Sequence, residues 1–280
     1  MTIPQPASVP AGELRADLGV IGGSGLYSWL DDVRTVEVDT PFGPPSDPPV
    51  IGNLDGRSVA FVPRHGRDHR FPPHLVNYRA NLWALRSLGV RQVVAACAVG
   101  SLRADLPAGA LVLPDQVLDR TWGRPHTIFG EVGAVVHVAF ADPYCATGRA
   151  TAVAAAGAEG IPVTDGGTLV VVNGPRFSSR AESRWHAAAG GDLVGMTGMP
   201  EAAIARELAL CYTCIAVVTD LDAGVEAGAG VTHTEVLARF GERVAVLRSL
   251  LVQVVRRLPL GGDCDCRHSL DGLALPFPLP

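Results

Sequence analysis

Short apolar runs alternate along the chain with longer amphipathic ones, the pattern of a protein that mixes strands and helices. Residues 18–21 are apolar and end in Gly22-Gly23-Ser24-Gly25, which predicts a strand running into a tight loop. Residues 58–62 read as a second strand, followed by Pro63-Arg64-His65-Gly66. Between residues 72 and 88, Leu75, Tyr78, Leu82 and Leu85 recur at helical spacing, and Gly89 marks the stop. The run RQVVAACAV at 91–99 predicts a buried strand that ends in Gly100-Ser101. Residues 110–113 and 168–172 read as further strands, 201–208 as a helix, and 211–218 as the strand after it. The last long helix opens on Thr232 and Glu235, spaced as a capping box, and carries Val236, Phe240, Val244, Leu247, Leu251 and Val254 along one face.

Two segments fall outside this alternation. DTPFGPPSDPP at 39–49 is proline-rich and predicts a loop. From Gly261 onward the chain is irregular and apolar, ending LALPFPLP. Such a tail packs on its own domain or on a neighbouring subunit. There is no internal repeat and no linker, so the reading is a flexible segment over 1–16, one domain over 17–260 and a tail over 261–280.

Composition narrows the function classes. Of 280 residues, 48% are hydrophobic and 18% charged, which favours a large buried core over disorder. The net charge is -5 and the arginines are dispersed, which argues against nucleic-acid binding, where a basic surface displaces counterions. No run approaches the roughly 20 apolar residues of a bilayer span. The opening MTIPQPASVPAGEL lacks the basic start and apolar run of a secretory signal, so the expectation is a cytoplasmic protein without a membrane partner.

In a reducing compartment the six cysteines are expected to be thiols. Cys211 and Cys214 form a C-x-x-C, yet they sit inside LCYTCIAVV, which reads as buried strand. In the tail, Cys264, Cys266 and His268 offer three ligand types that suit zinc. No fourth ligand is evident from spacing, so an ordinary C-terminal strap is preferred and no metal is expected.

Four polar clusters fall at the carboxyl ends of predicted strands, where open α/β sheets build their sites. Gly22-Gly23-Ser24-Gly25 lets backbone amides approach an anion, with Ser24 adding a hydroxyl, but it lacks the third glycine and following helix of a dinucleotide fingerprint. A plain tight turn reads equally well. Arg64-His65 can fork two oxygens of a phosphate while the imidazole donates to another; a surface loop with incidental charge is the other reading. Asp220-Leu221-Asp222 sets two carboxylates two residues apart, so in an extended segment they face the same way. They suit an amino group and a ring nitrogen, a magnesium ion, or a turn. Asn173-Gly174-Pro175-Arg176-Phe177-Ser178 follows a strand, and Phe177 can stack on a planar ring or join the core.

Together these segments resemble the purine nucleoside phosphorylase family, most closely its 5'-methylthioadenosine phosphorylase branch. The segments that carry the resemblance run in the family's order and span about residues 18 to 255. They are IGGSGLY at 21–27, VDTPFGPPSD at 38–47, PRHGRDH at 63–69, VNYRANLWALRSLGV at 76–90, AVGSLR at 98–103, NGPRFSSRAES at 173–183, MTGMPEAAIARELALCY at 196–212 and TDLDAG at 219–224. The resemblance implies an α/β fold of one domain, with a central mixed sheet partly closed like a barrel, flanked by helices, in a homotrimer. It implies phosphorolysis, in which inorganic phosphate displaces a purine from C1' of a nucleoside with no metal or organic cofactor.

Carried onto this chain, the resemblance assigns phosphate to Ser24, Arg64, His65, Cys97, Ala98 and Thr197. It assigns the nucleoside to Phe177, Met196, Asp220, Leu221 and Asp222, with Asp220 as general acid toward N7. Ser178, His233, Val236, Leu237 and, from a neighbouring subunit, His137 set the choice of 5'-substituent. Cys97 stands where the family usually has Thr or Asn.

A carboxylate accepts from a 6-amino group and repels a 6-oxo group, so aspartate at 220 favours adenine-type nucleosides. The expected reaction is cleavage of methylthioadenosine to adenine and methylthioribose 1-phosphate. His233 stands where methylthioadenosine phosphorylases often have an apolar residue, which keeps open a phosphorylase preferring adenosine, inosine or methylthioinosine. A nucleoside-binding protein without catalysis is the alternative of another class, and an NAD-binding oxidoreductase fits less well because the fingerprint is missing.

Overall fold

The structure is a computed structural model that describes residues 8–10, 14–23, 30–132, 135–225 and 232–280; the side chains at 8–10, 233 and 235–237 lie outside that description. Ser24 falls outside the described residues. The elements in chain order are β1 (Ser8–Pro10), β2 (Leu18–Gly22), β3 (Asp31–Glu37), β4 (Val50–Leu54), β5 (Arg57–Pro63), α1 (Tyr78–Ser87), β6 (Gln92–Ser101), β7 (Leu111–Leu113) and β8 (Gln116–Arg120). They continue with α2 (Ala146–Ala158), β9 (Thr164–Asp165), β10 (Thr168–Val172), α3 (Arg180–Ala188), β11 (Leu193–Gly195), α4 (Gly198–Glu207), β12 (Cys211–Leu221) and α5 (His233–Arg257).

Among the described residues the strands form one mixed sheet, with the order β1-β3-β4-β5-β2-β6-β11-β10-β8. A second arm leaves this path at β6, where β12 pairs with β6 and β7, and β7 with β9. β6 is therefore the hinge of the architecture. One edge pairs in parallel with β2 through residues 93–95 and, farther along, antiparallel with β11 at Gly100 and Ser101. β12 runs parallel along the other edge for nearly the whole length of β6.

This topology explains the near-continuous apolar runs in the two central strands. Side chains alternate across a strand, and helices cover both faces here. Val93, Ala95, Cys97 and Val99 enter one core, with Leu82 and Leu85 of α1 and Ile204 and Ala205 of α4. Val94 and Ala96 enter the other, with Ala152, Ala155 and Ala156 of α2 and Leu247, Leu251 and Val254 of α5. β12 divides in the same way, with Ala216 and Val218 on one side and Ile215 and Val217 on the other.

Several boundaries differ from the sequence reading. Residues 73–75 make only a 3-10 turn, and α1 starts at Tyr78, where the Asn77 side chain accepts from the Ala80 amide at 3.2 Å. Leu75, read as a core position of that helix, is 61% exposed. Gly89 stops the chain after α1 at φ +88°, a left-handed conformation that glycine adopts without a Cβ clash. β12 does not stop at Val218: it passes a bulge and continues to Leu221. α5 begins directly after Thr232, while the side-chain contacts of Glu235, Val236 and Leu237 lie outside the described residues.

β3, β4, β8, β11, α2 and α3 were not legible from periodicity. α2 reads ATGRATAVAAAGA, where small residues leave no stripe to follow. α3 carries a sequence signal of another kind than periodicity: Ser179 and Glu182 form a full capping box. Ser8–Pro10, inside the segment expected to be flexible, pairs in parallel with β3. The C-terminal tail lies on its own domain. Phe277 sits 5.5 Å from Phe129 and 6.0 Å from Trp83, ring centre to ring centre, and Leu275 and Leu279 pack on the same core.

Candidate active site

The site collects where β2, β5, β6, β12 and β11 end. β5 delivers Arg64 and His65, since Pro63 pairs with Gly22 of β2 and the Arg64 amide bonds the Gly22 carbonyl at 3.0 Å. The guanidinium is buried and already engaged: Nε donates to Glu201 Oε2 at 2.7 Å, Nη2 to Glu201 Oε1 at 2.8 Å and Nη1 to the Ala96 carbonyl at 2.8 Å. The sequence reading offered the whole guanidinium to an anion, and here only part of it remains. Its planar fork is taken by Glu201, which leaves one N–H on each terminal nitrogen for any ligand. Burial alone pushes the Arg64 pKa down, but the charge and hydrogen bonds of Glu201 outweigh it and hold the group firmly protonated. Glu201, fully buried in α4, also accepts from the Tyr212 hydroxyl at 2.7 Å.

His65 also differs from expectation. Its Nδ1 lies 2.8 Å from the Phe71 carbonyl, and its ring stacks on His69 at 4.6 Å. Burial, with the nearby Arg64 charge adding to it, lowers its pKa from 6.5 to about 4. The ring is therefore neutral near pH 7, Nδ1–H donates to the carbonyl, and Nε2 carries a lone pair rather than a proton. The sign of the consequence follows from linkage. Between pH 6.5 and about 4 the unfolded chain binds a proton at this position that the folded chain does not, so stability is full above 6.5 and is lost as pH falls toward 4. Melting curves from pH 7 to pH 4 are expected to show wild type losing on the order of 3 kcal/mol more than His65→Gln. Parallel losses would remove the effect from His65.

Ala98 is the one exposed residue of β6, a strand whose other positions are buried, so the sheet opens to solvent at that point. Cys97 points to the other face. Its sulfur lies 3.5 Å from Cys214 inside the core, which does not support its expected place as an anion contact. Thr197 precedes α4, the helix that carries Glu201, and its side chain makes no capping bond. Met196 follows β11 and is half-buried. Continuing the β6–β11 register places it opposite Ala98.

The aspartates meet over a glycine. β12 bulges between Val218 and Asp220, so that Asp220 pairs with Gly100. Such a bulge bends a strand and re-aims its side chains. A Cβ built on Gly100 would lie 3.0 Å from Asp220 Oδ2 and 3.5 Å from Asp222 Cβ, so both residues converge where Gly100 leaves room. Asp220 Oδ1 accepts from the Thr219 hydroxyl at 2.7 Å. Asp222 is 3% exposed, and its Oδ2 has no hydrogen-bond partner among the described residues. Leu221 lies between them, half-buried.

Phe177 and Ser178 are half-buried in the loop after β10. Ser178 lines a cavity of about 270 Å³ with Arg120, Asn173, Gly174, Trp185 and His186. Gly174 joins this cavity to Met196: at φ +61°, a Cβ there would sit 2.6 Å from Met196 Sδ. His137 is exposed, in a segment without regular secondary structure. His233 opens α5, and its side chain lies outside the described residues, as do those of Val236 and Leu237.

Sequence reasoning missed Arg124. This buried guanidinium donates to Met196 O at 2.9 Å, Met199 O at 2.6 Å, Asn173 O at 2.7 Å and Asn173 Oδ1 at 3.1 Å. It thereby ties together the chain segments after β10 and β11. Burial lowers its pKa, and its hydrogen bonds go to carbonyls, an amide and the Tyr78 hydroxyl rather than to a carboxylate. Glu201 had one sequence signal: a lone carboxylate in the otherwise apolar stretch MPEAAIA needs a buried partner. Arg124, in TWGRPHT, had none.

Known proteins resemble this chain over most of its length. A family model described as Phosphorylase superfamily matches residues 17–256. The chain is 58% identical over 280 residues to a purine nucleoside phosphorylase of Streptomyces coelicolor, covering 96% of this chain and 100% of the relative. It is 54% identical over 265 residues to an S-methyl-5'-thioadenosine phosphorylase of Mycolicibacterium smegmatis, covering 94% and 99%. A solved methylthioadenosine phosphorylase from Schistosoma mansoni in complex with adenine has a TM-score of 0.80 at 38% identity, over 87% of this chain and 91% of that one. The mixed sheet flanked by helices, the order of the strand-end motifs and these relatives place the chain in the phosphorylase superfamily, among the purine nucleoside and methylthioadenosine phosphorylases.

Proposed function

We propose that this protein cleaves S-methyl-5'-thioadenosine with inorganic phosphate, yielding adenine and 5-methylthioribose 1-phosphate. The observation that carries the reading is the convergence of Asp220 and Asp222 over Gly100, with a buried Asp222 oxygen that has no hydrogen-bond partner among the described residues. A 6-aminopurine supplies what that acceptor lacks, whereas a 6-oxo group would set oxygen against oxygen. The buried cations Arg64 and Arg124 suit a site that takes in an oxyanion.

In the proposed reaction a phosphate oxygen attacks C1' as the bond from C1' to N9 breaks. The bonding pair leaves with the purine, and a proton is delivered to N7 from Asp220 in its protonated form. Phosphate lies between Ala98, Thr197, the Gly22–Ser24 loop and the free N–H groups of Arg64. Neutral His65 accepts at Nε2 from a protonated phosphate oxygen instead of donating to it. Phe177 covers the base and Met196 the ribose. No organic cofactor or catalytic metal enters; phosphate is the co-substrate.

The proposed assembly is a cytoplasmic homotrimer with no nucleic-acid or membrane partner. Exposed Trp122, Val132, Val135 and Trp185 provide apolar surface for a neighbouring subunit, whose His137 would complete the 5'-pocket. No helix among the described residues is long and apolar enough to cross a membrane.

A second reading, preference for a nucleoside with a 5'-hydroxyl, is favoured by the 58% identical relative named purine nucleoside phosphorylase and by His233. One panel separates them: methylthioadenosine, adenosine, inosine and methylthioinosine, each with and without phosphate, followed by base release. The expected outcome is phosphate-dependent adenine release, fastest from methylthioadenosine. Faster turnover of adenosine would give the 5'-pocket to His233, and comparable inosine and adenosine rates would overturn the aspartate argument. Binding without phosphate-dependent product would leave a nucleoside-binding protein.

A further inference from the structure

At the end of β12 remote from the aspartates, four thiols converge from distant parts of the sequence. Cys145 precedes α2, Cys211 opens β12, and Cys264 and Cys266 come from the C-terminal tail. Their four sulfurs all lie within 4.8 Å of one another, and Cys145 and Cys264 are 3.6 Å apart. Cys145, Cys211 and Cys266 are buried, and Cys264 is half-buried. No other group of three or more His, Cys, Asp or Glu ligands is drawn together in this way among the described residues.

We propose that Cys145, Cys211, Cys264 and Cys266 form a closed tetrathiolate site that holds one zinc ion and fastens the C-terminal tail to the domain. Zinc–sulfur bonds of about 2.3 Å in a tetrahedron require sulfurs about 3.8 Å apart. The cluster already stands near that spacing, with each sulfur adjacent to all three others. Two disulfides would instead need separate pairs drawn to about 2.05 Å. An all-sulfur, four-fold, buried set selects zinc among the common divalent ions, and the absence of an open position makes the site structural.

The surroundings suit a centre with excess negative charge. The Gly148 amide donates to Cys145 Sγ at 3.3 Å, at the N-terminus of α2, where the helix dipole favours anions. The Thr147 hydroxyl stands 4.0 Å from Cys264 Sγ. His268, a candidate ligand from sequence, takes no part. Its Nδ1 bonds Asp271 at 2.7 Å and its Nε2 bonds Asp263. The missing fourth ligand of the tail motif is in fact two cysteines from more than fifty residues upstream. Nine residues of strand separate Cys211 from Asp220, about 30 Å, so the ion has no place in the chemistry.

The test is metal and thiol analysis of the full chain, purified with reductant and without chelator from zinc-supplemented cells. Expected are one zinc per chain and, after denaturation with chelator, all six thiols reactive. Titrating the native protein with an organomercurial should release that zinc as the cluster thiols react. Cobalt exchanged for zinc should give the visible bands of a tetrahedral thiolate site. The double variant Cys264→Ser, Cys266→Ser should lose the metal and lower the Tm by more than about 5 °C, with turnover at 25 °C within about twofold of wild type. If the variant does not fold, the mercurial and cobalt measurements on wild type decide. Six reactive thiols with well under one metal per chain would overturn the proposal. So would a mass deficit showing disulfides, iron in place of zinc, or full zinc retention in the double variant.

Discussion

Replacing Asp220 with asparagine is expected to lower turnover on methylthioadenosine by about 10²–10⁴-fold while leaving phosphate affinity within a few-fold of wild type. The loss lies in the transition state. As the bond from C1' to N9 breaks, electron density flows into the purine, and a carboxylic acid at N7 transfers a proton that an amide cannot. The substitution is nearly isosteric, so the Thr219 hydroxyl keeps an acceptor and the bulge in β12 is undisturbed. The amide also supplies a donor that suits a 6-oxo group, so the ratio of inosine to adenosine cleavage should rise. Steady-state rates on both nucleosides, with phosphate affinity measured separately, check this. Undiminished turnover on the adenine substrate would remove Asp220 from the proton-transfer role.

Replacing Glu201 with alanine is expected to destabilise the fold by about 3–5 kcal/mol, because it leaves Arg64 buried without its countercharge. Two of the three hydrogen bonds that hold the guanidinium go to this carboxylate, and the Tyr212 hydroxyl loses its acceptor as well. At the scale of a domain this size the Tm should fall by about 10 °C. Phosphate distinguishes an anion site from a purely structural ion pair. If the remaining N–H groups of Arg64 face bound phosphate, the anion restores part of the lost pairing, and its stabilising effect should be larger in the variant than in wild type. Glu201→Gln should be intermediate, since an amide oxygen still accepts. A variant within about 2 °C of wild type would mean that Arg64 finds other partners.

How far the sequence reached depended on the range of the interaction. The strands at 168–172 and 211–218 and the final helix were visible because side chains alternate or recur where one or two cores bury them. α2 was not, because alanines and glycines pack by close approach and leave no stripe. In the site, Asp220 and Asp222 were readable as neighbours from two-residue spacing. Their meeting over Gly100 required the bulge that sets Asp220 against that residue. Arg64 was readable as a charged group at a strand end, but its engagement was not: Glu201 lies 137 residues away.

The sequence by itself determined the α/β class, the strand ends that carry polar clusters, and the family, because local periodicity and short motifs are written within a few residues. Tertiary structure alone decided which charges are paired, which histidine is neutral and which thiols meet. The fork of Arg64 closes on Glu201, burial and the Arg64 charge hold His65 neutral, and Cys145 and Cys211 supply the ligands the tail lacked. Protonation and pairing depend on desolvation and on partners within a few ångströms. Those partners are set by sheet register and chain crossings that no local pattern encodes.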